Sequence, residues 1–508
     1  MVNRKRIFLA SITMLVMMGM LGSLGRLIPA AAQVSGPRAQ VDTQVLEALQ
    51  SGETADYVIV MAEQADLSAA YGISDWEERG WYVYNTLKET AARTQKSTLA
   101  QLKRQGIRNQ SFFAGNEIYV HGGTQQSLNA VIDLAEVGSV RAPLTVQLEP
   151  AGARFSRPLG PAQPQAALQT ELNGSPTWGL TDAGAPAFWS EYESKGETII
   201  VANIDSGVQY DHPALANSYR CINGNLLDPK CWYDATGDPP EVGPHDDLGH
   251  GTHTMGTMVG SDDQTLPYSV GMAPGATWIA CRAFISDETS ETILNTCADW
   301  ILAPGGDPAN RPHVVNNSWS DEVHDSWFQD EVITWRAAGI FPVFSAGNKG
   351  GCYTIFSPGD YVESFTVGAH DSSREIAYFS SMGPNYIGID PYTKPNLSAP
   401  GVNVISSYPP NLPPYYRSWE SMQGTSMAAP HAAGAVALLW SCNDYLIGNI
   451  GLTFALLQGG AASSPDGGCG TSPTGGNYTY GYGYLDVYKA GQMGCKMAPV
   501  AYLPLISR

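Results

Sequence analysis

The sequence predicts an α/β protein, built on a parallel sheet flanked by helices and preceded by a small α+β domain. Three observations lead there. Between residues 197 and 370 the short β-branched runs ETIIVANIDSGV, ATWIACRAF, HVVNNSW, IFPVFSAGN and SFTVGAH follow one another. Helix-compatible stretches, ETILNTCADWILA and QDEVITWRAAG, separate them. Apolar strands alternating with helices are the pattern of a parallel sheet covered on both faces. A different pattern, shorter and more polar, precedes them, and a stretch rich in Pro, Ala, Gly and Gln divides the two.

In chain order, the N-terminus reads MVNRKR, then IFLASITMLVMMGMLGSLG, then RLIPAAAQ. A basic start, an apolar centre and a small-residue exit are the order of a secretory signal peptide over 1–32, and so predict a secreted, extracellular protein. A membrane anchor is the competing reading, because the apolar run approaches the roughly 20 residues of a spanning helix. The small domain covers 50–150: a strand at DYVIVMAE, a helix over 75–105, a strand at NEIYVHGG, a helix at TQQSLNAVIDLAEVG and a last strand at LTVQLEP. Residues 151–176 read as an exposed linker holding a maturation site. The main domain spans 178–490, and 491–508 form a tail to which the sequence assigns no role.

The chain has 508 residues, with 28 Lys plus Arg against 48 Asp plus Glu, a formal charge of -20. Such a surface argues against nucleic acid or an anionic membrane as partner. The eight cysteines, Cys221, Cys231, Cys281, Cys297, Cys352, Cys442, Cys469 and Cys495, all follow residue 220. In an exported chain an even number predicts disulfides. Distance along the chain favours Cys221–Cys231 and Cys281–Cys297, and leaves the remaining pairing open. Structural zinc is disfavoured, since no two cysteines have CxxC spacing.

Catalytic residues of open α/β sheets collect at the carboxyl ends of strands. Asp205 ends the apolar run IIVANIDSGV, His250 sits between glycines in DDLGHGTHTMG, and Ser426 stands at the head of an apolar helix in GTSMAAPH. Alone, each has an ordinary explanation: a turn residue, a structural histidine, a helix cap. Together, the words DSGV, GHGTH, NNSW, SAGN and GTSMAAPH, in that order, resemble the subtilisin-type serine proteases, whose triad runs Asp, His, Ser.

That resemblance implies a subtilisin-like sheet and a serine endopeptidase acting on proteins and peptides. Ser426 would be the nucleophile, His250 its base and Asp205 the holder of the other ring nitrogen. Asn348 would supply an oxyanion donor beside the Ser426 amide. Ser318, Trp319 and Ser320 would pair with the substrate backbone, while Ser345, Ala346 and Gly347 line the first specificity pocket. Trp319 stands where smaller apolar residues are frequent in the family, which leaves the outer pockets' shape open. The 50–150 region resembles the ferredoxin-like, inhibitor-like propeptides of these proteases, so the chain's own propeptide would be an intramolecular inhibitor. The resemblance implies a monomer and no cofactor for the chemistry, and it leaves structural calcium open. In many relatives an aspartate that binds calcium follows the HP after the catalytic Asp; here DHPAL puts Ala214 there. Asp262 and Asp263 offer another oxygen pair, against the simpler reading of a solvated turn. A lipase or esterase would require GxSxG and the order Ser, Asp, His. A non-catalytic relative would lack a triad member or the oxyanion amide, and none is missing.

Overall fold

The computed structural model describes residues 38–51, 54–148, 174–238, 243–261, 263, 266, 268–385, 392–412 and 418–498. The signal segment, most of the linker, Asp262 and the end of the tail lie outside the described residues.

The first domain is a five-stranded sheet with helices. Strands β1 (Gln40–Val41), β2 (Ala55–Met61), β3 (Arg108–Phe112), β4 (Glu117–Gly123) and β5 (Val137–Arg141) lie in the order β1-β5-β2-β4-β3. Helices α1 (Thr43–Gln50), α2 (Trp76–Thr94), α3 (Lys96–Arg104) and α4 (Gln125–Val131) complete it. Tyr57, Ile59, Leu102, Ile118, Val120, Leu128 and Val140 form its core. The single helix expected over 75–105 is two, because Gln95 between them is buried and donates to Phe112 O and Asn116 Oδ1, tying the joint to the β3–β4 turn. The last strand, β6 (Thr145–Gln147), leaves this sheet altogether.

The second domain carries a seven-stranded sheet. Its strands are β7 (Ile200–Asp205), β8 (Trp232–Asp234), β9 (Thr277–Arg282), β11 (Val314–Asn317), β12 (Phe341–Ser345), β13 (Phe365–His370) and β14 (Leu397–Pro400), with the short β10 (Glu288–Ser290) between β9 and β11 in sequence. The order is β14-β13-β12-β11-β7-β9-β8, and every pairing is parallel. An antiparallel hairpin, β15 (Val404–Ser407) and β16 (Trp419–Met422), stands apart. Helices α5 (Trp178–Asp182), α6 (Ala185–Tyr192), α7 (His250–Val259), α8 (Glu291–Leu302), α9 (Gln329–Ala337), α10 (Thr425–Cys442), α11 (Ile450–Gly460) and α12 (Val487–Gly494) surround it.

Helix α10 is the axis of this core. Every residue from Thr425 to Trp440 is buried, as the unbroken run AAGAVALLW requires, and the helix packs on α7 and on β11 through β14. Pro430 inside it lacks the N–H that would reach Ser426 O, and the Ser318 hydroxyl donates to that carbonyl instead, at 2.9 Å. Four disulfides brace the domain. The two close pairs are Cys221–Cys231 and Cys281–Cys297; the others, Cys352–Cys469 and Cys442–Cys495, close separations of 117 and 53 residues.

The two domains meet through polar contacts on α8 and α9. Asp299 accepts from Phe113 N and Ala114 N at 3.1 and 2.8 Å, Arg141 bridges Glu117 and Glu291, and Thr334 Oγ1 donates to Ala114 O. At the far edge, Arg79 donates to Ala337 O and Gly448 O, and the Arg311 guanidinium lies over the Trp76 ring.

Candidate active site

Asp205 is the last residue of the wholly interior strand end, so its carboxylate emerges at the carboxyl edge of the sheet in a dry environment. Oδ1 accepts from His250 Nδ1 at 2.8 Å and from Ser206 N at 2.7 Å, and Oδ2 accepts from Thr254 Oγ1 at 3.2 Å. An ionised carboxylate only accepts, so the shared proton sits on Nδ1 and leaves Nε2 with its lone pair. Nε2 is buried and has no hydrogen-bond partner. Burial alone would lower the His250 pKa, but the Asp205 charge and hydrogen bond, with Asp246 and Asp287 behind them, outweigh it and raise the value.

His250 opens α7, whose cap Gly249 has φ 84°. A Cβ there would lie 2.1 Å from the Tyr408 ring, so both the left-handed backbone and the close approach demand glycine. Ser426 is the second residue of α10. Its hydroxyl donates to Ser318 O at 3.2 Å rather than to His250. Asn348, on the turn after β12, uses its side-chain oxygen to accept both Thr425 N and Thr425 Oγ1, at 2.9 and 3.0 Å. The Asn348 NH₂ lies near Gly424, where a Cβ would stand 3.4 Å from Nδ2. Gly347 (φ 99°) donates its N–H to Thr425 Oγ1, drawing the turn after β12 against the start of α10.

Ser318 and Ser320 continue beyond β11 and are buried. Trp319 between them faces the other way: its indole donates to Ile204 O at 3.1 Å and packs edge-on against Phe328 and Phe344. The indole is therefore core, which answers how the larger residue is accommodated. Ser345 and Ala346 are also buried, close to the Gly347 turn.

Strand β6 lies along this edge. It pairs antiparallel with β10 (Gln147 opposite Glu288, Val146 opposite Thr289, Thr145 opposite Ser290), and Gln147 forms a bridge to Ser320 on its other side. Leu148 N donates to Asp287 O at 2.7 Å. Val146 and Leu148 are 0% and 3% exposed, while Thr145 between solvent and strand is exposed, the alternation of a strand with one face on a protein.

Several residues at this site are given no role by the sequence reading, although Ser206 lies within DSGV and Thr252 within GHGTH. Ser206, Asp246, Thr252 and Thr254 bond around Asp205 and His250, and Asp287 to Ser290 form the cleft edge. The hydroxyl at Thr254, four residues after His250, shares a helical face with it and is the one pattern that could have pointed there.

Calcium fails the fit at position 214. Ala214 is buried, its N–H donates to His212 Nδ1 and its carbonyl accepts Ser261 N, so no side-chain oxygen is offered there. Among the described residues no group of three or more His, Cys, Asp or Glu is placed to hold a metal.

Residues 196–457 match the Peptidase S8 profile, that of the subtilase family. Bacillopeptidase F of Bacillus subtilis (strain 168) is 37% identical over 417 residues, which are 78% of this chain and 27% of that protein. Subtilisin DY of Bacillus licheniformis is 31% identical over 251 residues, 49% of this chain and 78% of that protein. Subtilisin BL of Lederbergia lenta is 31% identical over 262 residues, 52% of this chain and 83% of that protein.

Proposed function

The chain belongs to the subtilase family, and from that premise we propose that it is a secreted serine endopeptidase made as a self-processed zymogen. The observation that carries the reading is the 2.8 Å bond from His250 Nδ1 to Asp205, which leaves Nε2 without a partner among the described residues, on a helix that packs against α10, whose second residue is Ser426. A turn about the Ser426 side chain takes its hydroxyl from Ser318 O to Nε2, a bond that tightens only with substrate in place. The oxygen then attacks the peptide carbonyl carbon as its proton passes to Nε2, and Asp205 holds the resulting imidazolium. The oxyanion accepts from the Ser426 amide at the start of α10 and from Asn348 Nδ2, favoured by the positive end of the helix. Collapse expels the amine, which takes the proton from Nε2 and leaves an acyl ester on Ser426. Water, deprotonated by Nε2, cleaves that ester.

Substrate would bind as β6 does, as an added strand between β10 and the Ser318–Ser320 segment. Because β6 belongs to the N-terminal domain, it supports an intramolecular inhibitor that fills the cleft until the linker is cut. The basic-apolar-small N-terminus and four disulfides support export to an oxidising compartment. The test is to express the full chain and its Ser426→Ala variant. Casein hydrolysis, labelling by a sulfonyl fluoride at Ser426 and loss of the N-terminal domain are expected in the first and absent in the second. Maturation of Ser426→Ala without added protease would overturn self-processing, and ester hydrolysis without peptide hydrolysis would overturn the endopeptidase.

A further inference from the structure

We infer that Asp246 is a positioning residue for the reaction, a buried clamp that fixes the His250 helix to the turn bearing Asp205. The inference rests on the protease reading above. Asp246 is 1% exposed, and its carboxylate accepts five hydrogen bonds. Oδ1 takes Ser206 Oγ at 2.9 Å, Leu248 N at 3.0 Å and Gly249 N at 2.8 Å. Oδ2 takes Thr252 N at 2.8 Å and Thr252 Oγ1 at 2.6 Å. The Ser206 hydroxyl in turn accepts Gly251 N at 2.9 Å, and the backbone of Asp246 bridges to Gly207.

These bonds end on the neighbours of both triad members. Ser206 follows Asp205 in the chain, Gly249 and Gly251 flank His250, and Thr252 is the third residue of α7. A carboxylate that caps the first turn of one element and holds the turn of another leaves the imidazole and Asp205 little freedom to part. All five contacts are donated to the carboxylate, three of them by backbone N–H groups that can only donate, which favours its ionised form. Burial pushes its carboxyl pKa up, and the donated bonds oppose that. The charge also reaches His250, which faces Asp205, Asp246 and Asp287 as acids and His253 as a second imidazole. A cap acts on the stability of α7; a clamp on the triad also acts on turnover.

Asp246→Asn separates the two, because one side-chain oxygen remains while the charge and the second acceptor go. In the processed full-length product with a chromogenic peptide, kcat should fall by about 10- to 100-fold with KM within about twofold, the signature of misplacement rather than lost binding. Removing a negative charge lowers the His250 pKa, so the acid limb of kcat/KM should move to lower pH. A kcat within twofold of the parent and an unmoved limb would overturn the inference. If Asp246→Asn does not mature, Ser206→Ala and Thr252→Val each delete one donor and keep the charge. Each should lower kcat several-fold with the limb in place, and unchanged kcat in both overturns the clamp. An inactive parent chain would instead sink the protease reading itself.

Discussion

Raising the pH should loosen the N-terminal domain from the catalytic domain, because carboxyl groups are buried between them with too few cations. Asp299 accepts two amides from the loop after β3 and is pushed from 3.8 up to about 7, with burial the largest cause. Glu331 lies against Gly115, where a Cβ would stand 2.1 Å from its oxygen, has no hydrogen-bond partner, and is driven well above its ordinary value by burial and by Glu117 and Asp330. Glu117 is also raised, burial and the Glu291 charge outweighing Arg141. The charge of Lys88 reaches Asp299 and opposes its upward shift. A carboxyl whose pKa is higher when docked stabilises docking fully below its free pKa and loses that contribution as pH rises through the docked value. For Asp299 the window is from 3.8 to about 7. At about 1.4 kcal/mol per pKa unit this gives an upper limit of about 4 kcal/mol. The catalytic domain alone covers part of Asp299, so about 2 kcal/mol, a roughly 30-fold weakening, is the working figure. The assay uses the uncleaved Ser426→Ala chain and a fluorescent Thr-Val-Gln-Leu peptide that can bind only where β6 has left. Apparent affinity should rise about 30-fold between pH 4 and pH 8, and Asp299→Asn should flatten the rise. Equal slopes for the variant and its parent would refute the reasoning, since His250 titrates identically in both.

Other outcomes follow from the same geometry. On the proposed mechanism, Asn348→Leu should lower kcat by about 10²–10³ with KM little changed in steady-state hydrolysis, through loss of the Nδ2 donor to the oxyanion and of the two bonds that Oδ1 accepts from Thr425. Dilute peroxide should inactivate the enzyme through Met427, which is buried directly after Ser426, and a Met427→Ala variant should resist; undiminished sensitivity in that variant would reject this. A reductant should lower the melting temperature clearly, since the loop closed by Cys352–Cys469 spans 117 residues and is worth roughly 5 kcal/mol on the chain-entropy account. A chelator should shift it only slightly, given the methyl group at Ala214; a large loss restored by calcium would contradict that.

Strands such as β7 and β12 were legible because both of their faces are buried, which forces continuous Val, Ile, Ala and Phe into the sequence. The polar β3 and β10, RNQSF and ETS, were not. Their strand character comes from a partner's backbone, and backbone pairing leaves no mark on side-chain pattern. The same holds for β6: LTVQLEP reads as a strand, but nothing in it says that its partner is β10 rather than its own domain's sheet. The long disulfides depend on where distant loops end, so chain distance identifies only the short pairs.

Asp205, His250 and Ser426 stood out because each interrupts a pattern: an acid closing an apolar strand, a histidine among small residues, a hydroxyl before an apolar helix. Asp246 interrupts no apolar pattern, and its burial is what makes it informative. The elements that carry the three motif residues explain why the site can be held accurately at all. Strand β7 is buried to its end, all of α7 is buried, and α10 is buried from Thr425 to Trp440. Close-packed interiors admit few rotamers and little sliding, so a side chain at the tip of such an element inherits the precision of the core. A loop could present the same three side chains but could not hold a 2.8 Å bond between Asp205 and His250 while a substrate strand is inserted beside them. On the proposed mechanism the apolar run behind Ser426 bears on the chemistry, because burying α10 from Thr425 to Trp440 fixes the backbone that carries the Ser426 hydroxyl.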